Sequence, residues 1–207
     1  MRILRAEEEE ALSEALKILR DGGVVALPTE TFYGLAVDPL HRPAVEHLYA
    51  LKRRRREKPV LLLLGDLGEL ERWVEEVPRV ARVLIESFWP GPLTLVFRAR
   101  AEVPPWVTAE TGTVALRLSA HPLAREIPRL FGRPVTGTSA NLSGEHPACT
   151  AEEVAHYFPE VDLILDGGAT PGRKPSTLVS VVSGRPELLR PGEIPWETLE
   201  KVVESKA

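Results

Sequence analysis

The sequence predicts an α/β domain built on a twisted, mixed sheet with flanking helices. Segments with apolar residues at helical spacing alternate along the chain with short runs of apolar and β-branched residues, and this alternation is typical of helices and strands that share one sheet. Glycine and proline stand between many of these segments, where they end regular structure. The chain of 207 residues has no stretch with the composition of a linker, so we expect one domain over residues 1–207.

The predicted elements follow in order from the N-terminus. The first helix covers residues 7–19, where apolar side chains recur at helical spacing until Asp21-Gly22-Gly23 ends the pattern. Short apolar runs between turn residues predict strands at 24–27, 60–64, 93–97, 113–118, 163–165, 177–182 and 187–189. The helical spacing recurs at 43–51, 67–74, 80–88, 122–130, 151–157 and 196–203.

The composition excludes several classes of protein. Cys149 is the only cysteine, so the chain has no intrachain disulfide and no zinc site built on thiolates. The N-terminal residues include four consecutive glutamates at 7–10 rather than the apolar run of a signal sequence, and no apolar stretch approaches the length of a membrane span. We expect a cytoplasmic protein with no membrane contact.

A basic segment, residues 52–58, contrasts with the formal net charge of −4 of the whole chain. It holds six basic residues and one acid, and it begins where the apolar positions of the helix at 43–51 end. Cations at the C-terminus of a helix are stabilised by its macrodipole. The segment is interpreted either as a solvated helix end or as a site for a localised anionic partner, and its two lysines favour phosphate.

Asn141 is the only residue of the chain with a carboxamide side chain, since glutamine is absent. Heat-adapted proteins tend to lose amides, and the excess of arginine over lysine, 20 against 6, fits the same interpretation. A retained amide indicates a role that aspartate or serine cannot fill. The two interpretations are a turn or helix cap and a contact with a ligand.

Four polar loops interrupt the predicted pattern, and ligand-binding side chains concentrate in such loops. The first is residues 27–35, where hydroxyls and a carboxylate follow a strand. The second is the basic segment, and the third is Ser139-Ala140-Asn141. The fourth combines 174–177 with 190–192, which stand beside predicted strands. The bend at 89–94, with two prolines and a glycine, is interpreted as structural.

Familiar catalytic motifs are missing from the sequence. It contains no phosphate-binding P-loop, no pair of histidines at metal-ligand spacing and no nucleophile elbow around Ser139. The polar loops instead supply cations, hydroxyls and glycines. That set suits phosphoryl or nucleotidyl chemistry, in which positioning and charge neutralisation carry most of the catalysis.

Seven short motifs occur in the order expected of one known family. They are Pro28-Thr29-Glu30-Thr31-x-Tyr33-Gly34-Leu35, Lys52-x-Arg54, Pro90-Gly91-Pro92-x-Thr94, Arg117, Ser139-x-Asn141, Pro175-Ser176-Thr177 and Leu189-Arg190-Pro191-Gly192. Through them the chain resembles the YrdC/Sua5 (TsaC) family, the threonylcarbamoyl-AMP synthases, over about residues 10–195. The resemblance is to the short, single-domain TsaC-like form without the C-terminal Sua5 domain, and it implies a YrdC-like fold around a concave basic cavity.

The resemblance also implies a reaction, in which L-threonine, bicarbonate and ATP give threonylcarbamoyl-AMP and pyrophosphate for the N6-threonylcarbamoyladenosine modification at position 37 of tRNAs. Lys52 and Arg54 would be catalytic. ATP would be bound, with Mg²⁺ bridging its phosphates and no metal site formed by the protein, by Lys52, Arg54, Lys58, Ser139, Asn141 and Arg190. L-Threonine would be bound by Thr31, Arg117 and Ser176. Transient contact with the tRNA threonylcarbamoyl transferase proteins is expected.

Two alternatives stay open at the level of the sequence. The same fold could bind RNA without catalysis, with Arg53, Arg55 and Arg56 on its phosphates, although aromatic residues for base stacking are not interleaved with the basic segment. The chain could also belong to a YciO-like paralogous branch. Members of that branch lack both Lys-x-Arg and Ser-x-Asn, so the presence of both motifs favours the synthase.

Overall fold

The strands of the protein form two sheets, and helices alternate with them along the chain. The computed structural model describes residues 1–53, 59–142 and 144–206. Within these ranges the strands are β1 (Arg2–Arg5), β2 (Val25–Pro28), β3 (Tyr33–Ala36), β4 (Leu61–Leu63), β5 (Leu93–Arg98), β6 (Thr113–Arg117), β7 (Val135–Thr136), β8 (Thr138–Ser139), β9 (Leu163–Asp166), β10 (Thr177–Ser180) and β11 (Glu187–Arg190). The helices are α1 (Ala11–Arg20), α2 (Arg42–Leu51), α3 (Arg79–Phe88), α4 (Pro105–Thr108), α5 (Pro122–Phe131), α6 (Ala151–Tyr157) and α7 (Trp196–Ser205), and a 3₁₀ helix covers Leu67–Arg72.

Each sheet contains both parallel and antiparallel neighbours. The five-stranded sheet has the order β1-β9-β2-β3-β8, in which β9 pairs in parallel with β1 and β2 while β3 pairs antiparallel with β2 and β8. The six-stranded sheet has the order β11-β10-β5-β6-β4-β7, parallel at β10-β5 and β6-β4 and antiparallel at its other pairings. The predicted α/β class with mixed strand directions and flanking helices is confirmed, and the strands divide between two sheets rather than one.

The chain passes directly from one sheet to the other at Gly137. β7, which ends at Thr136, is an edge of the six-stranded sheet, and β8, which begins at Thr138, is an edge of the five-stranded sheet. The buried Thr136 hydroxyl accepts a hydrogen bond from Val37 N at 2.9 Å and donates to Leu35 O at 3.2 Å, while Thr136 N donates to Val37 O at 3.1 Å. These bonds tie β7 to the end of β3, so the two sheets are joined next to the polar loop Ser139-Ala140-Asn141.

Buried apolar side chains cover both faces of the five-stranded sheet. Along β2, Ala26 belongs to the larger apolar cluster, whereas Val25 and Leu27 belong to the smaller one. The smaller cluster also contains the apolar faces of α1 and α5. A strand covered on both faces has no solvent side, which explains why the sequence from Val24 onward is continuously apolar rather than alternating.

Several short elements are not predicted by the sequence. β7 and β8 have two residues each and α4 has four, which is too short for a periodic pattern. β1 is exposed apart from Leu4, and β3 begins within the loop predicted at 27–35. The α-helix predicted at 67–74 is wrong in type, because this segment is the 3₁₀ helix; the other predicted helices and strands are confirmed with ends shifted by a few residues. In the described part of the chain, no helix has the length and apolar composition needed to cross a membrane.

The end of α2 determines where Lys52 lies. The helix begins after His41, whose Nδ1 accepts a hydrogen bond from Ala44 N at 3.2 Å, and it ends at Leu51. Lys52 is its C-cap and is only 2% exposed. Arg53 then takes a left-handed backbone conformation with φ of +50°. The basic segment therefore begins at the C-terminus of α2, as predicted, but its first lysine is buried in the protein.

Replacing Thr136 with valine is expected to lower the free energy of unfolding by about 1–3 kcal/mol, because Val37 N is left buried without its acceptor. Urea denaturation followed by circular dichroism measures this change. Thr138→Val is the matched control, since it removes a hydroxyl from the same segment at a side chain that lines a cavity. Equal losses for the two variants would contradict the role assigned to the Thr136 hydroxyl.

Candidate active site

A cavity of about 480 Å³ is lined by residues from both sheets, a volume suited to a small ligand. The five-stranded sheet contributes the loop between β2 and β3 together with β8, and the six-stranded sheet contributes residues of β4, β5, β6, β10 and β11. No aspartate or glutamate belongs to the described lining. The polar and charged side chains of that lining are Thr29, Thr31, Tyr33, Thr94, Arg117, Thr138, Ser139, Asn141, His146, Arg173, Ser176 and Arg190.

Most site residues predicted from the sequence come together here. Lys52 is not part of the described lining, but its ammonium group contacts Ser139 and Asn141. Arg54 and Lys58 lie outside the described residues. Most of the basic segment likewise lies outside the described residues. The basic character of the cavity and the roles of the individual site residues therefore stay predictions. The predicted residues that line the cavity are Thr31, Arg117, Ser139, Asn141, Ser176 and Arg190.

Thr29 and Thr31 hold the loop between β2 and β3 in one arrangement. The Thr29 hydroxyl accepts hydrogen bonds from Thr31 N at 3.1 Å and Phe32 N at 3.3 Å, and it donates to Phe32 O at 2.7 Å. The two hydroxyls lie 3.0 Å apart. The Thr31 hydroxyl also accepts from Nη1 and Nη2 of Arg117, each at 3.3 Å.

Arg117, the last residue of β6, is 3% exposed and has partners on several sides. Its Nε donates to Gly91 O at 3.2 Å, its Nη1 and Nη2 each lie 3.3 Å from Thr31 Oγ1, and its Nη2 lies 2.8 Å from Glu30 Oε1. A Cβ at Gly91 would lie 2.4 Å from Phe88 O. A glycine is therefore needed for the bend that brings the Gly91 carbonyl oxygen to Arg117. The structural interpretation of the bend at 89–94 agrees with these contacts.

Glu30 balances the buried guanidinium of Arg117. Its carboxylate also accepts hydrogen bonds from Ser119 Oγ and from Ala120 N, the latter at 3.0 Å. Burial raises the pKa of this carboxyl group, but the charge of Arg117 and the hydrogen bonds from Ser119, Arg117 and Ala120 outweigh burial and lower the pKa below its usual range. Glu30 is therefore ionised at neutral pH and forms an ion pair with Arg117 in which the side chains are 18% and 4% exposed.

Ser176 connects strands β5, β10 and β11. It immediately precedes β10, is 3% exposed, and its Oγ lies 2.7 Å from Thr94 Oγ1 in β5. Arg190 of β11 donates from Nη2 to Ser176 O at 2.9 Å, and the same nitrogen lies 3.3 Å from Ser176 Oγ. The backbone at Gly192 passes so close to this segment that a Cβ would lie 2.3 Å from Thr177 N. The glycine two residues after Arg190 thus allows the contact between Arg190 and Ser176.

The Asn141 amide uses all four of its hydrogen-bonding positions. Its Nδ2 donates to Leu142 O at 3.0 Å and to Glu145 O at 2.8 Å, and its Oδ1 accepts from Ser139 Oγ at 2.6 Å and from Lys52 Nζ at 3.4 Å. Lys52 Nζ also donates to Asn141 O at 2.8 Å and to Ser139 O. Aspartate could not donate to the two carbonyls, and serine has a single hydrogen. The amide therefore holds Ser139, Leu142 and Glu145 together, and a contact with a ligand stays a prediction.

Some side chains that line the cavity are not assigned to the site by the sequence analysis, namely those of Tyr33, Thr94, His146 and Arg173. Arg173 is exposed and adds a cation to the lining; its place beside the polar loop at 174–177 is its only signal in the sequence. His146 packs edge-on against Phe32, with ring centroids 5.7 Å apart. Tyr33 and Thr94 belong to motifs quoted above, whereas His146 and Arg173 reach the site through tertiary packing, which motif spacing does not report.

The phenol of Tyr33 is a hydrogen-bond donor rather than a base. Its hydroxyl donates to Gly168 O at 2.8 Å and lies 3.5 Å from Asp166 Oδ1. Burial, together with the negative charge of Asp166, raises the pKa of Tyr33 to about 12. The phenol thus stays protonated at neutral pH and cannot remove a proton from a ligand.

Comparison with known proteins places the chain in a family. A model of the Sua5/YciO/YrdC family, described as telomere recombination, matches residues 17–192. The chain belongs to this family. Among its curated relatives, the threonylcarbamoyl-AMP synthase of Stenotrophomonas maltophilia is 40% identical over 180 residues, which cover 86% of this chain and 97% of that protein. The threonylcarbamoyl-AMP synthase of Pyrococcus abyssi is 38% identical over 197 residues, which cover 95% of this chain and 58% of that protein.

Solved structures of Sua5/YciO/YrdC proteins share the fold. Pyrococcus abyssi Sua5 complexed with L-threonine has a TM-score of 0.93 at 36% identity, with 98% of this chain and 61% of that chain covered. E. coli YciO has a TM-score of 0.81 at 27% identity, with coverages of 92% and 93%. The YrdC-like fold is thereby confirmed. Because the chain spans 58% and 56% of the Pyrococcus abyssi and Bacillus subtilis relatives, the single-domain form without the C-terminal Sua5 domain stays a prediction.

Glu30→Gln is expected to change how the stability of this Sua5/YciO/YrdC protein depends on pH. The pKa of Glu30 in the folded chain is below its ordinary value of 4.5, so the ionised carboxylate stabilises the folded state above that pH and the contribution is lost as the pH falls through the folded pKa. The difference in the free energy of unfolding between the wild type and the variant should shrink from neutral pH to about pH 3. Urea denaturation across this range measures it. A difference that does not vary with pH would contradict the ionised state assigned to Glu30.

Proposed function

We propose that the chain is a threonylcarbamoyl-AMP synthase, which converts L-threonine, bicarbonate and ATP into threonylcarbamoyl-AMP and pyrophosphate for the N6-threonylcarbamoyladenosine modification at position 37 of tRNAs. Curated relatives of that name at 35–40% identity support the proposal and favour catalysis over the RNA-binding alternative. Lys52-x-Arg54 and Ser139-x-Asn141 favour the synthase branch over the YciO-like one. The observation that carries the proposal is the convergence on one cavity of Thr31, Arg117, Ser139, Asn141, Ser176 and Arg190.

The proposed reaction brings several anions together. The amine nitrogen of threonine forms a bond to the carbon of bicarbonate or CO₂, which gives a carbamate together with water from bicarbonate, or together with a proton released from the amine when CO₂ reacts. A carbamate oxygen then attacks the α-phosphorus of ATP, the bond from that phosphorus to the oxygen bridging to the β-phosphate breaks, and pyrophosphate leaves with the electron pair. Negative charge accumulates at both steps, so the protein has to supply cations and fixed hydrogen-bond donors.

We assign ATP to Ser139 and Asn141, at and after β8, and to Arg190, whose guanidinium contacts Ser176 O. Lys52 is buried and its ammonium holds the backbone and side chain of the loop at 139–141, so it acts on ATP by fixing that loop as well as through its charge. Arg54 and Lys58, which lie outside the described residues, are proposed to bind the triphosphate. The described chain resumes at 59–61, which again lines the cavity.

We assign L-threonine to Thr31, Arg117 and Ser176. The crystal structure of Pyrococcus abyssi Sua5 complexed with L-threonine supports this amino acid as the substrate. Arg117 is suited to the carboxylate, because a planar guanidinium can donate two parallel hydrogen bonds to it. We assign no general base, since Tyr33 stays protonated, and the amine would react in its deprotonated form.

Mg²⁺ is treated as part of the ATP substrate. The described lining of the cavity has no carboxylate, and no cluster of three or more histidine, cysteine, aspartate or glutamate side chains suited to a metal occurs in the described ranges. A magnesium site formed by these residues does not fit, and the ion would be carried by the phosphates of ATP.

A cytoplasmic location and transient contact with the tRNA threonylcarbamoyl transferase proteins that use the product are part of the proposal.

Incubation of the purified protein with Mg-ATP, bicarbonate and L-threonine is expected to give equal amounts of pyrophosphate and threonylcarbamoyl-AMP, measured by chromatography with mass spectrometry. Lys52→Ala and Arg54→Ala should each lower the rate by about 10²-fold or more, because charge stabilisation of the phosphates is lost. Arg53→Ala, between them in the sequence, is the matched control and should keep the rate. A wild type without threonine-dependent product would overturn the proposed function, whereas full rates in both variants would overturn only the phosphate assignment.

Asn141→Asp is expected to bind ATP about tenfold more weakly than Asn141→Ala, because a carboxylate facing the phosphates adds a like-charge repulsion of about 1–4 kcal/mol. Both variants lose the hydrogen bonds to Leu142 O and Glu145 O, so the alanine variant is the control for the loop itself. Calorimetric titration with ATP measures the two affinities. Equal affinities would show that Asn141 organises the turn and does not face the nucleotide.

A further inference from the structure

We propose that Glu30 is a positioning residue for the recognition of the substrate carboxylate, because it fixes the guanidinium of Arg117 with one edge directed to the cavity. The inference rests on the proposed function and deepens its L-threonine subsite. Glu30 does not belong to the described lining of the cavity, whereas Arg117 and Thr31 do. Its effect on a ligand would therefore be transmitted through Arg117.

The donors of Arg117 divide into two groups. Nε is held by Gly91 O, and one hydrogen of Nη2 is directed to Glu30 Oε1; neither acceptor residue belongs to the described lining. Nη1 and Nη2 also face Thr31 Oγ1, which lies on the cavity. A guanidinium has five N–H donors in one plane, so fixing Nε and one Nη2 hydrogen fixes the orientation of the others. The Nη1–Nη2 edge, which contacts Thr31 Oγ1, is the edge on the cavity side, and its orientation is thus set by Gly91 and Glu30; a carboxylate would share this edge with Thr31 Oγ1.

Glu30 is itself held in place from a second loop. Its Oε2 accepts from Ser119 Oγ, its Oε1 accepts from Ala120 N at 3.0 Å, and Ser119 Oγ in turn accepts from His121 N at 3.2 Å. The loop after β6, which carries these donors, is continuous with Arg117 at the end of that strand. Glu30 therefore links the loop between β2 and β3 to the strand that carries the guanidinium. A link of this kind limits rotation of a long side chain before a ligand binds.

Two physical effects of Glu30 on a bound carboxylate oppose each other. Glu30 has the same sign of charge as the substrate carboxylate and weakens its attraction to Arg117. Glu30 also preorganises the guanidinium, and ordering a long side chain on binding otherwise costs about 2- to 13-fold in affinity. We infer that preorganisation outweighs repulsion, because the Arg117–Glu30 contact of 2.8 Å is short and both side chains are largely buried. Removal of the Glu30 charge should tighten L-threonine binding if repulsion is the larger effect, and weaken it if preorganisation is the larger effect.

The test compares L-threonine with L-threoninol, which has a hydroxymethyl group in place of the carboxylate. Glu30→Gln keeps the shape and a neutral acceptor, and it should weaken L-threonine binding about tenfold, since a charge-assisted hydrogen bond is roughly twice as strong as a neutral one. Glu30→Ala removes the acceptor and should weaken it further. L-Threoninol and ATP should bind each variant within about twofold of the wild type, measured by calorimetric titration. Ser119→Ala is the matched control, because it removes one hydrogen bond to Glu30 but keeps the Glu30 carboxylate beside Arg117, so it should weaken L-threonine binding less than Glu30→Gln does.

The outcomes separate this inference from the proposed function. A selective loss of L-threonine affinity in Glu30→Gln supports it. Unchanged or tighter L-threonine binding, or equal losses for L-threonine and L-threoninol, would overturn it. If Glu30→Ala does not fold, the glutamine variant alone decides. A wild type that binds L-threonine but forms no threonylcarbamoyl-AMP would overturn the proposed reaction while leaving this comparison intact.

Discussion

The direct passage of the chain from one sheet to the other at Gly137 is the constraint on which the rest of the structure depends. A side chain there is excluded, because a Cβ would lie 2.5 Å from Cγ of the buried Leu63. Thr136 then uses its hydroxyl to satisfy Val37 N, which follows β3. With the sheets joined at this point, strand ends from both line one cavity. Residues far apart in sequence meet there without long connecting loops.

Two buried cations beside this cavity are satisfied by different kinds of partner. The Arg117 guanidinium is paired with Glu30, an acid whose pKa is lowered by the pairing despite burial. In the described part of the chain, the Lys52 ammonium contacts the carbonyl oxygens of Ser139 and Asn141, which are neutral acceptors. The Arg117–Glu30 pair orients the guanidinium for a ligand of defined geometry. The Lys52 contacts fix the loop at 139–141 and keep a positive charge close to it, which suits a polyanionic ligand.

The sequence predicts the longer elements because their apolar periodicity and their terminating glycines and prolines agree. It also groups the site residues, since the motifs around Thr31, Arg117 and Ser139 resemble those of one family. The sequence does not predict which side chains hold the site residues in position. Glu30 is visible as a carboxylate after a strand, but its partner Ser119 is 89 positions away. The strands β7 and β8 have two residues each, so the point where the sheets join leaves no periodic signal in the sequence.

Asn141 has a consequence for the chemical lifetime of the protein. Amide side chains are among the thermolabile groups of proteins, and this chain carries only one. Loss of its nitrogen as ammonia requires the backbone nitrogen of Leu142 to reach the side-chain carbonyl carbon, and four hydrogen bonds hold the amide in a fixed orientation. The packing that organises the turn therefore also protects the bond most open to hydrolytic ageing. At high temperature, the durability of the loop is set by one side chain and by how rarely its hydrogen bonds open together.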